Sequence, residues 1–412
     1  MGDKIAIVVQ RYGLEINGGA ELHARLIAEK LNQNYDVEII TTCAIEYEFW
    51  DNHYPAGTDI INDIKVRRFL TEKKDLRKFQ KLSKIIYNRF KYNHRQLNFF
   101  NFPYLFFKRR KYNKMSVDFN KWLEVQGPYS KDLISFIQSH KDNYQSFIFF
   151  TYLYHPTNIG IKEVAQKSIL IPTAHDEPPF YLSGYGTLFS LPKFIMYNMD
   201  SEKNLVESVY PQAKKIASEI AGIGFDKIAP TDLDIKLDKK YFIYIGRMED
   251  SKGCNILLEY FSRYINELDA DVELIFIGQN VQHYKESKNV RFLGFIGENI
   301  KNFYLSNAEA LIIPSLYESL SMVTLEAMQI GKPVIANKKC DVLKNHIEQS
   351  KAGFLFENYN DFRTVLERTL SLSTSEKNKI AHNGTQYVKN NYDWEIIMEK
   401  FYKAIDYVVK SQ

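Results

Sequence analysis

The sequence has only three cysteines, Cys43, Cys254 and Cys340, widely separated and odd in number. That excludes a disulfide frame, and the lack of any Cys/His cluster argues against a structural zinc or other bound metal. Buried thiols in a reducing compartment are expected instead. No run of about 18 apolar residues occurs, so no membrane-spanning helix is expected. The apolar run Ile5–Val9 is short and is followed by Gln10 and Arg11, which does not fit a secretory leader. A cytoplasmic chain is the expectation. The G-x-G-x-x-G dinucleotide fingerprint is also missing; an early Gly18-Gly19 pair stands in its place.

What is present suffices for two domains with their own cores, with 412 residues and 45% apolar content. The net charge of +4 hides a local excess, because residues 73–114 carry fourteen Lys/Arg and one acid, Asp75. The remainder of the chain is therefore net acidic. Within that segment Leu76–Tyr92 puts Phe79, Leu82, Ile85, Ile86 and Phe90 on one helical face and Lys/Arg over most of the rest. L-N-F-F-N-F-P-Y-L-F-F and K-R-R-K follow. Two readings stand: a basic amphipathic surface resting on anionic lipid, or a helical hairpin that buries its aromatics on the domain while its lysines are solvated. Nucleic acid is a third and weaker reading, since no RNA- or DNA-binding motif accompanies the segment.

Apolar runs alternate with helix-period segments along the chain, which predicts mostly parallel sheets covered on both faces. Strands are expected at Ile5–Val9, Val37–Thr42, Ile64–Phe69, Phe147–Phe150, Ser168–Ile171 and Phe194–Met196. A helix of about 20–32 is expected to turn Leu22, Leu26, Ile27 and Leu31 inward. The pattern loosens around G-I-G-F-D, and the division expected is an N-terminal domain 1–225 with an insertion at about 71–130, a linker 226–240, and a C-terminal domain 241–393. A last helix, 394–412, is expected to return to the N-terminal domain. In the second half, strands are expected at Tyr241–Ile245, Val272–Ile277, Val290–Leu293, Ala308–Ile313, Val334–Ile335 and Gly353–Phe356.

Four stretches carry candidate chemistry. Gly18-Gly19 lies between the first strand and its helix, where backbone without side chains can approach a phosphate or sugar, or simply turn. His175 follows a buried strand in A-H-D-E, with Asp176 or Glu177 able to orient its imidazole. Arg247 and Lys252 flank a loop at another strand end. They suit a diphosphate, Arg as a planar fork and Lys as a point charge, or they are a solvated pair with Glu249 and Asp250 as partners.

The fourth is Pro314–Pro333, P-S-L-Y-E-S-L-S-M-V-T-L-E-A-M-Q-I-G-K-P, with a helix from about Ser321 to Ile330. Glu318 precedes the helix and Glu326 lies within it, about 10 Å apart at helical rise. That exceeds the separation of about 5–9 Å used by paired glycosidase acids. The spacing suits two ends of an elongated ligand with a helix N-terminus between them; one exposed and one salt-bridged glutamate is the plain alternative.

Together Gly18-Gly19-Ala20-Glu21, Gly246-Arg247…Lys252-Gly253, and Glu318…Glu326-Ala327 with Gly331-Lys332-Pro333-Val334 resemble the retaining glycosyltransferase family 4. Asn198 with Glu202 and Gly222–Asp226 fall in the expected order. The resemblance implies an α/β GT-B fold, two Rossmann-like doubly wound parallel-sheet domains facing a central cleft. It implies a metal-independent hexosyltransferase that uses a UDP- or GDP-linked sugar as substrate and needs no cofactor. The acceptor would be a glycan or lipid-linked hydroxyl in surface polysaccharide or glycoconjugate synthesis. Arg247 and Lys252 would bind the donor diphosphate, and the backbone of Leu320, Ser321, Met322 and Val323 would meet a phosphate. Glu326 would hold the ribose, Glu318 the donor sugar near its anomeric carbon, and His175 the sugar or its phosphate. Gly18 and Gly19 would admit the β-phosphate. Where members often carry Gly-Phe-Gly, this chain has Ser319-Leu320-Ser321. Two other functions share such a fold: a sugar-nucleotide epimerase or hydrolase, and a non-catalytic sugar-binding partner.

Overall fold

The computed structural model describes residues 3–16, 18–90, 118–226, 228 and 233–412. The chain forms two compact units, Met1–Ile223 with Met398–Gln412, and Gly224–Ile397.

The first unit is an eight-stranded sheet in the order β3-β4-β2-β1-β5-β6-β7-β8. Its strands are β1 (Lys4–Val8), β2 (Asp36–Thr42), β3 (Gly57–Ile61), β4 (Ile64–Phe69), β5 (Ser146–Phe150), β6 (Ser168–Ile171), β7 (Phe194–Tyr197) and β8 (Ala217–Ile220). All neighbours run parallel except β3, a hairpin partner of β4. β5 and β6 are buried at every residue, as a strand covered on both faces must be. Sequence patterning missed β3 and β8. The former, G-T-D-I-I, is an exposed edge strand with no apolar run to betray it, and the latter, A-S-E-I, carries two polar residues.

Helix α1 (Gly19–Leu31) buries Glu21, His23, Ala24, Ile27, Ala28 and Leu31. This corrects the expected inner face: Leu22 and Leu26 are only partly buried. The helix is rotated because Glu21 is drawn inward by Arg11 and Gln10. Helix α2 (Leu76–Phe90) follows β4. Ile86 is buried, and Phe79, Leu82 and Tyr87 pack against the core of the first unit. Phe79 lies beside the ring of Trp122, whose indole N–H donates to Ser83 Oγ at 2.9 Å. Phe79, Leu82 and Ile86 of the expected apolar face are therefore spent on the fold, while Arg77, Lys78, Lys81 and Lys84 stay exposed. Residues 91–114 of the basic segment lie outside the described residues. Helix α3 (Asp200–Val209) follows β7.

The second unit is a six-stranded, all-parallel sheet in the order β11-β10-β9-β12-β13-β14. Its strands are β9 (Tyr241–Ile245), β10 (Glu273–Ile277), β11 (Val290–Phe292), β12 (Ala310–Ile313), β13 (Val334–Asn337) and β14 (Gly353–Phe356). The helices used below are α4 (Cys254–Leu268), α5 (Glu298–Asn307), α6 (Met322–Gln329) and α7 (Asp341–Ser350). The last helix, α8 (Trp394–Lys410), begins in the second unit and ends in the first. Its Phe401, Ala404, Ile405 and Val408 are buried, and Lys400 Nζ donates to the carbonyl of Ile220 in β8 at 2.6 Å. Among the described residues no helix is long and apolar enough to cross a membrane.

Candidate functional site

In each sheet the strand order reverses at one point, between β1 and β5 in the first unit and between β9 and β12 in the second. Loops leaving the carboxyl ends of such strands diverge and open a crevice suited to a ligand. In the second unit the two loops are those singled out from the sequence. Arg247 and Lys252 leave β9; Glu318 to Ser321 leave β12. Lys252 Nζ lies 2.9 Å from Glu318 Oε1, both side chains part-buried, so a cation and a carboxylate from opposite sides of the switch point meet. Arg247 reaches Glu249 at 3.5 Å. Asp250, the other proposed partner, instead accepts from Tyr284 OH at 2.5 Å.

The loop around the cations is built on close approaches. Gly246 has φ +152°, and Tyr244 OH donates to the Arg247 carbonyl at 2.7 Å. Gly253 has φ +75°, and a Cβ there would stand 2.6 Å from the Pro314 carbonyl oxygen. Only glycine lets these two loops touch.

Helix α6 starts just past a residue in the left-handed region. Ser321, its N-cap, has φ 57° and ψ 68°, and its side chain caps no backbone N–H. The hydroxyl instead bonds Thr324 Oγ1 at 2.9 Å. Among the described residues the N–H groups of Met322 and Val323 have no acceptor, leaving a donor pair at the positive end of the helix. A left-handed backbone is one that glycine adopts without strain. Serine holds the same conformation at a cost of about 1 kcal/mol. Leu320 is buried, and its carbonyl oxygen lies 2.7 Å from His346 Nε2 on α7. Burial pulls the His346 pKa down to about 4, against the Leu320 hydrogen bond and the Glu318 charge, so its ring is neutral. Nε2 must carry the proton to donate to a carbonyl, and Nδ1 faces Tyr387 OH at 3.1 Å. His346 thus braces the loop between the two glutamates.

Glu326 pairs with Lys301 on α5 at 2.8 Å, so both glutamates are salt-bridged and neither is the exposed one of the plain alternative. Sequence reasoning did not single out Lys301 or His346. Each acts across about one strand–helix unit, and no local spacing announces it.

The remaining candidates belong to the first unit. Gly18 caps α1 and Gly19 opens it. A Cβ on Gly18 would stand 1.9 Å from Glu21 Oε2, whereas one on Gly19 meets nothing within 4 Å. Gly18 therefore makes room for a buried carboxylate, and only Gly19 leaves open backbone. Glu21 accepts from Gln10 and from Arg11 Nε, both at 2.9 Å. His175 lies past the end of β6, with Nε2 at 3.5 Å from Glu177 Oε2. Asp176 accepts from Tyr181 OH instead, so Glu177 is the carboxylate beside the imidazole. Glu202 on α3 is fully buried and accepts backbone N–H bonds from Ala174 and Asn198, both at 2.6 Å. Burial pushes its pKa up to about 8 against those two bonds. Among the described residues no three His, Cys, Asp or Glu side chains converge on a metal-sized site.

Residues 226–395 match the model of the family described as glycosyl transferases group 1. The likeness lies within that stretch, less than half of the chain. The stretch holds the Lys252–Glu318 pair, Arg247, α6 and Glu326. Among curated relatives, the α-1,3/1,6-mannosyltransferase ALG2 of Dictyostelium discoideum is 29% identical over 194 residues, covering 41% of this chain and 45% of that protein. The lipopolysaccharide 1,2-N-acetylglucosaminetransferase of Salmonella typhimurium is 25% identical over 187 residues, 41% of this chain and 49% of that one. The chain thus spans about half the length of the curated relatives it matches. Among solved structures, sucrose-phosphate synthase from Thermosynechococcus elongatus aligns over 98% of this chain and 99% of its own, with TM-score 0.66 and 16% identity. Anabaena HepE in complex with UDP and glucose aligns over the same shares, with TM-score 0.65 and 16% identity. The fold is GT-B.

Proposed function

We propose that the protein is a retaining glycosyltransferase that moves a sugar from a UDP- or GDP-linked donor to a hydroxyl of a glycan or lipid-linked acceptor. The observation that carries this reading is the meeting of Lys252 and Glu318 across the switch point of the second unit, beside a helix start with two unfilled N–H donors. A donor diphosphate entering there replaces the carboxylate as the lysine's anionic partner. Arg247, Lys252 and the amides around Leu320–Val323 then neutralise the departing nucleotide. Glu318, released from Lys252, lies toward the sugar and stabilises positive charge developing on its ring, while Glu326 binds the ribose. His175 bonds the sugar or its phosphate, and the open backbone at Gly19, beside Gly18, takes the β-phosphate. The acceptor hydroxyl attacks on the face the leaving group vacates, with a β-phosphate oxygen as base. These cations and amides supply the positive charge that other transferases take from a metal, so the reaction is proposed to run without one. HepE, which shares the fold, has been solved with UDP and glucose, and this supports a nucleotide-sugar donor.

Incubation with a panel of UDP- and GDP-sugars and an added acceptor tests the reading. Transfer with retained anomeric configuration is expected. Nucleotide release or epimerisation alone would mark a hydrolase or epimerase, and binding without turnover a non-catalytic partner; each overturns the proposal.

The exposed cations of α2 favour a second element of this reading, a cytoplasmic enzyme resting on an anionic bilayer where lipid-linked acceptors for surface polysaccharide are made. With Phe79, Leu82 and Ile86 occupied by the core, contact by this helix is through charge. Flotation with anionic vesicles, abolished by salt, is expected; no flotation with either anionic or neutral vesicles refutes it.

A further inference from the structure

Lys301 is the one cation described within reach of Glu326, and it is built in. Its side chain is 13% exposed and bridges two carboxylates, Glu326 Oε2 at 2.8 Å and Glu298 Oε1 at 2.6 Å. Burial opposes its charge, but the two carboxylates hold its pKa above the ordinary lysine value, so it stays a cation. A part-buried glutamate without a cation would be drawn toward solvent or toward protonation. With Oε2 taken, Oε1 of Glu326 has no partner among the described residues.

We infer that Lys301 is a positioning residue for nucleotide recognition: it pins Glu326 through one carboxylate oxygen and leaves the other to accept from the vicinal hydroxyls of the donor's pentose. The inference rests on the reading of Glu326 as the ribose-binding residue. It assigns α5, an element with no part in the sequence motifs, to the nucleotide site. Glu298, far more exposed, holds the other side of the lysine.

The test is calorimetric titration of the full chain with UDP and GDP, and with their 2′,3′-dideoxy analogues, for wild type, Lys301→Met and Lys301→Arg. For the nucleotide that wild type prefers, Lys301→Met is expected to weaken binding about tenfold, as for loss of a charge-assisted hydrogen bond. Binding of the dideoxy analogue should change by less than about twofold, and Lys301→Arg should restore most of the loss. Should Lys301→Met fail to fold, Lys301→Gln carries the same comparison. Equal weakening toward both ligands, or tighter binding by the variant, overturns the inference. A wild type that binds neither nucleotide, or does not discriminate ribose from dideoxyribose, overturns the underlying reading of Glu326 instead.

Discussion

The two units use carboxylates in opposite ways. In the second, Glu318 and Glu326 are part-buried and each faces one lysine, so a ligand can displace Glu318 from Lys252 or use the second oxygen that Lys301 leaves on Glu326. In the first, Glu21 and Glu202 are buried and tied to Arg11, Gln10 and backbone amides. Those bonds fix loops, and breaking them leaves uncompensated groups in the interior. Charges at the rim of the second sheet are thus available for binding, and those of the first are structural supports for residues such as His175.

Removing a rim cation sharpens this contrast most. Lys252→Ala and Arg247→Ala should each lower sugar transfer by about 10²-fold or more. Their melting temperatures should stay within several degrees of wild type, because both cations are part-exposed and solvent screens their pairs. Retained turnover in both variants would erase the distinction.

The next effect belongs to Glu202. Its pKa is raised from 4.5 to about 8 in the fold, so the folded state binds its proton more tightly than the unfolded chain. The stability this provides is full below about pH 4.5 and is lost as pH rises through about 8, a change on the order of a few kcal/mol. Glu202→Gln should flatten that part of the stability profile in urea titrations at several pH values; an unchanged slope would remove Glu202 from the account. The sign is reversed for His346, whose pKa falls from 6.5 to about 4. Its contribution is full above about pH 6.5 and is lost as pH drops through about 4, and His346→Gln should remove that acid-side loss.

The smallest effect is at Ser321. Glycine relieves the left-handed backbone but adds unfolded-state entropy and gives up the Thr324 hydroxyl contact, so Ser321→Gly should be neutral or destabilising by up to about 1 kcal/mol. A Tm unchanged or lowered by a few degrees is expected, with a clear rise as the contrary result.

Much of the architecture was legible because β1, β5, β9, β10 and β12 are short, uninterrupted apolar runs, the pattern of strands covered on both faces. The exposed edge β3 has no such run. The rotation of α1 was hidden because a glutamate occupies its inner face, and polarity alone argues that Glu21 points outward. At the candidate site, Arg247, Lys252 and Glu318 stood out by residue type after strands, and Glu326 within the helix that follows. Their pairings were not. Lys252 meets Glu318 from 66 positions away, and Lys301 meets Glu326 from 25. His346 supports Leu320 by an imidazole whose neighbours in sequence say nothing of its partner. The serine at 321 was visible, but only its φ of 57° shows that it holds a left-handed backbone.

The division of the chain has a consequence for its synthesis on the ribosome. Residues 398–412 belong to the first unit, and Phe401, Ala404, Ile405 and Val408 of α8 are buried. The first 223 residues therefore emerge with part of their apolar covering still untranslated, and must wait while the whole second unit is made. At bacterial or eukaryotic elongation rates of about 5–20 residues per second, that interval is on the order of ten seconds or more. During it the part of the N-terminal unit that α8 packs on lacks that covering.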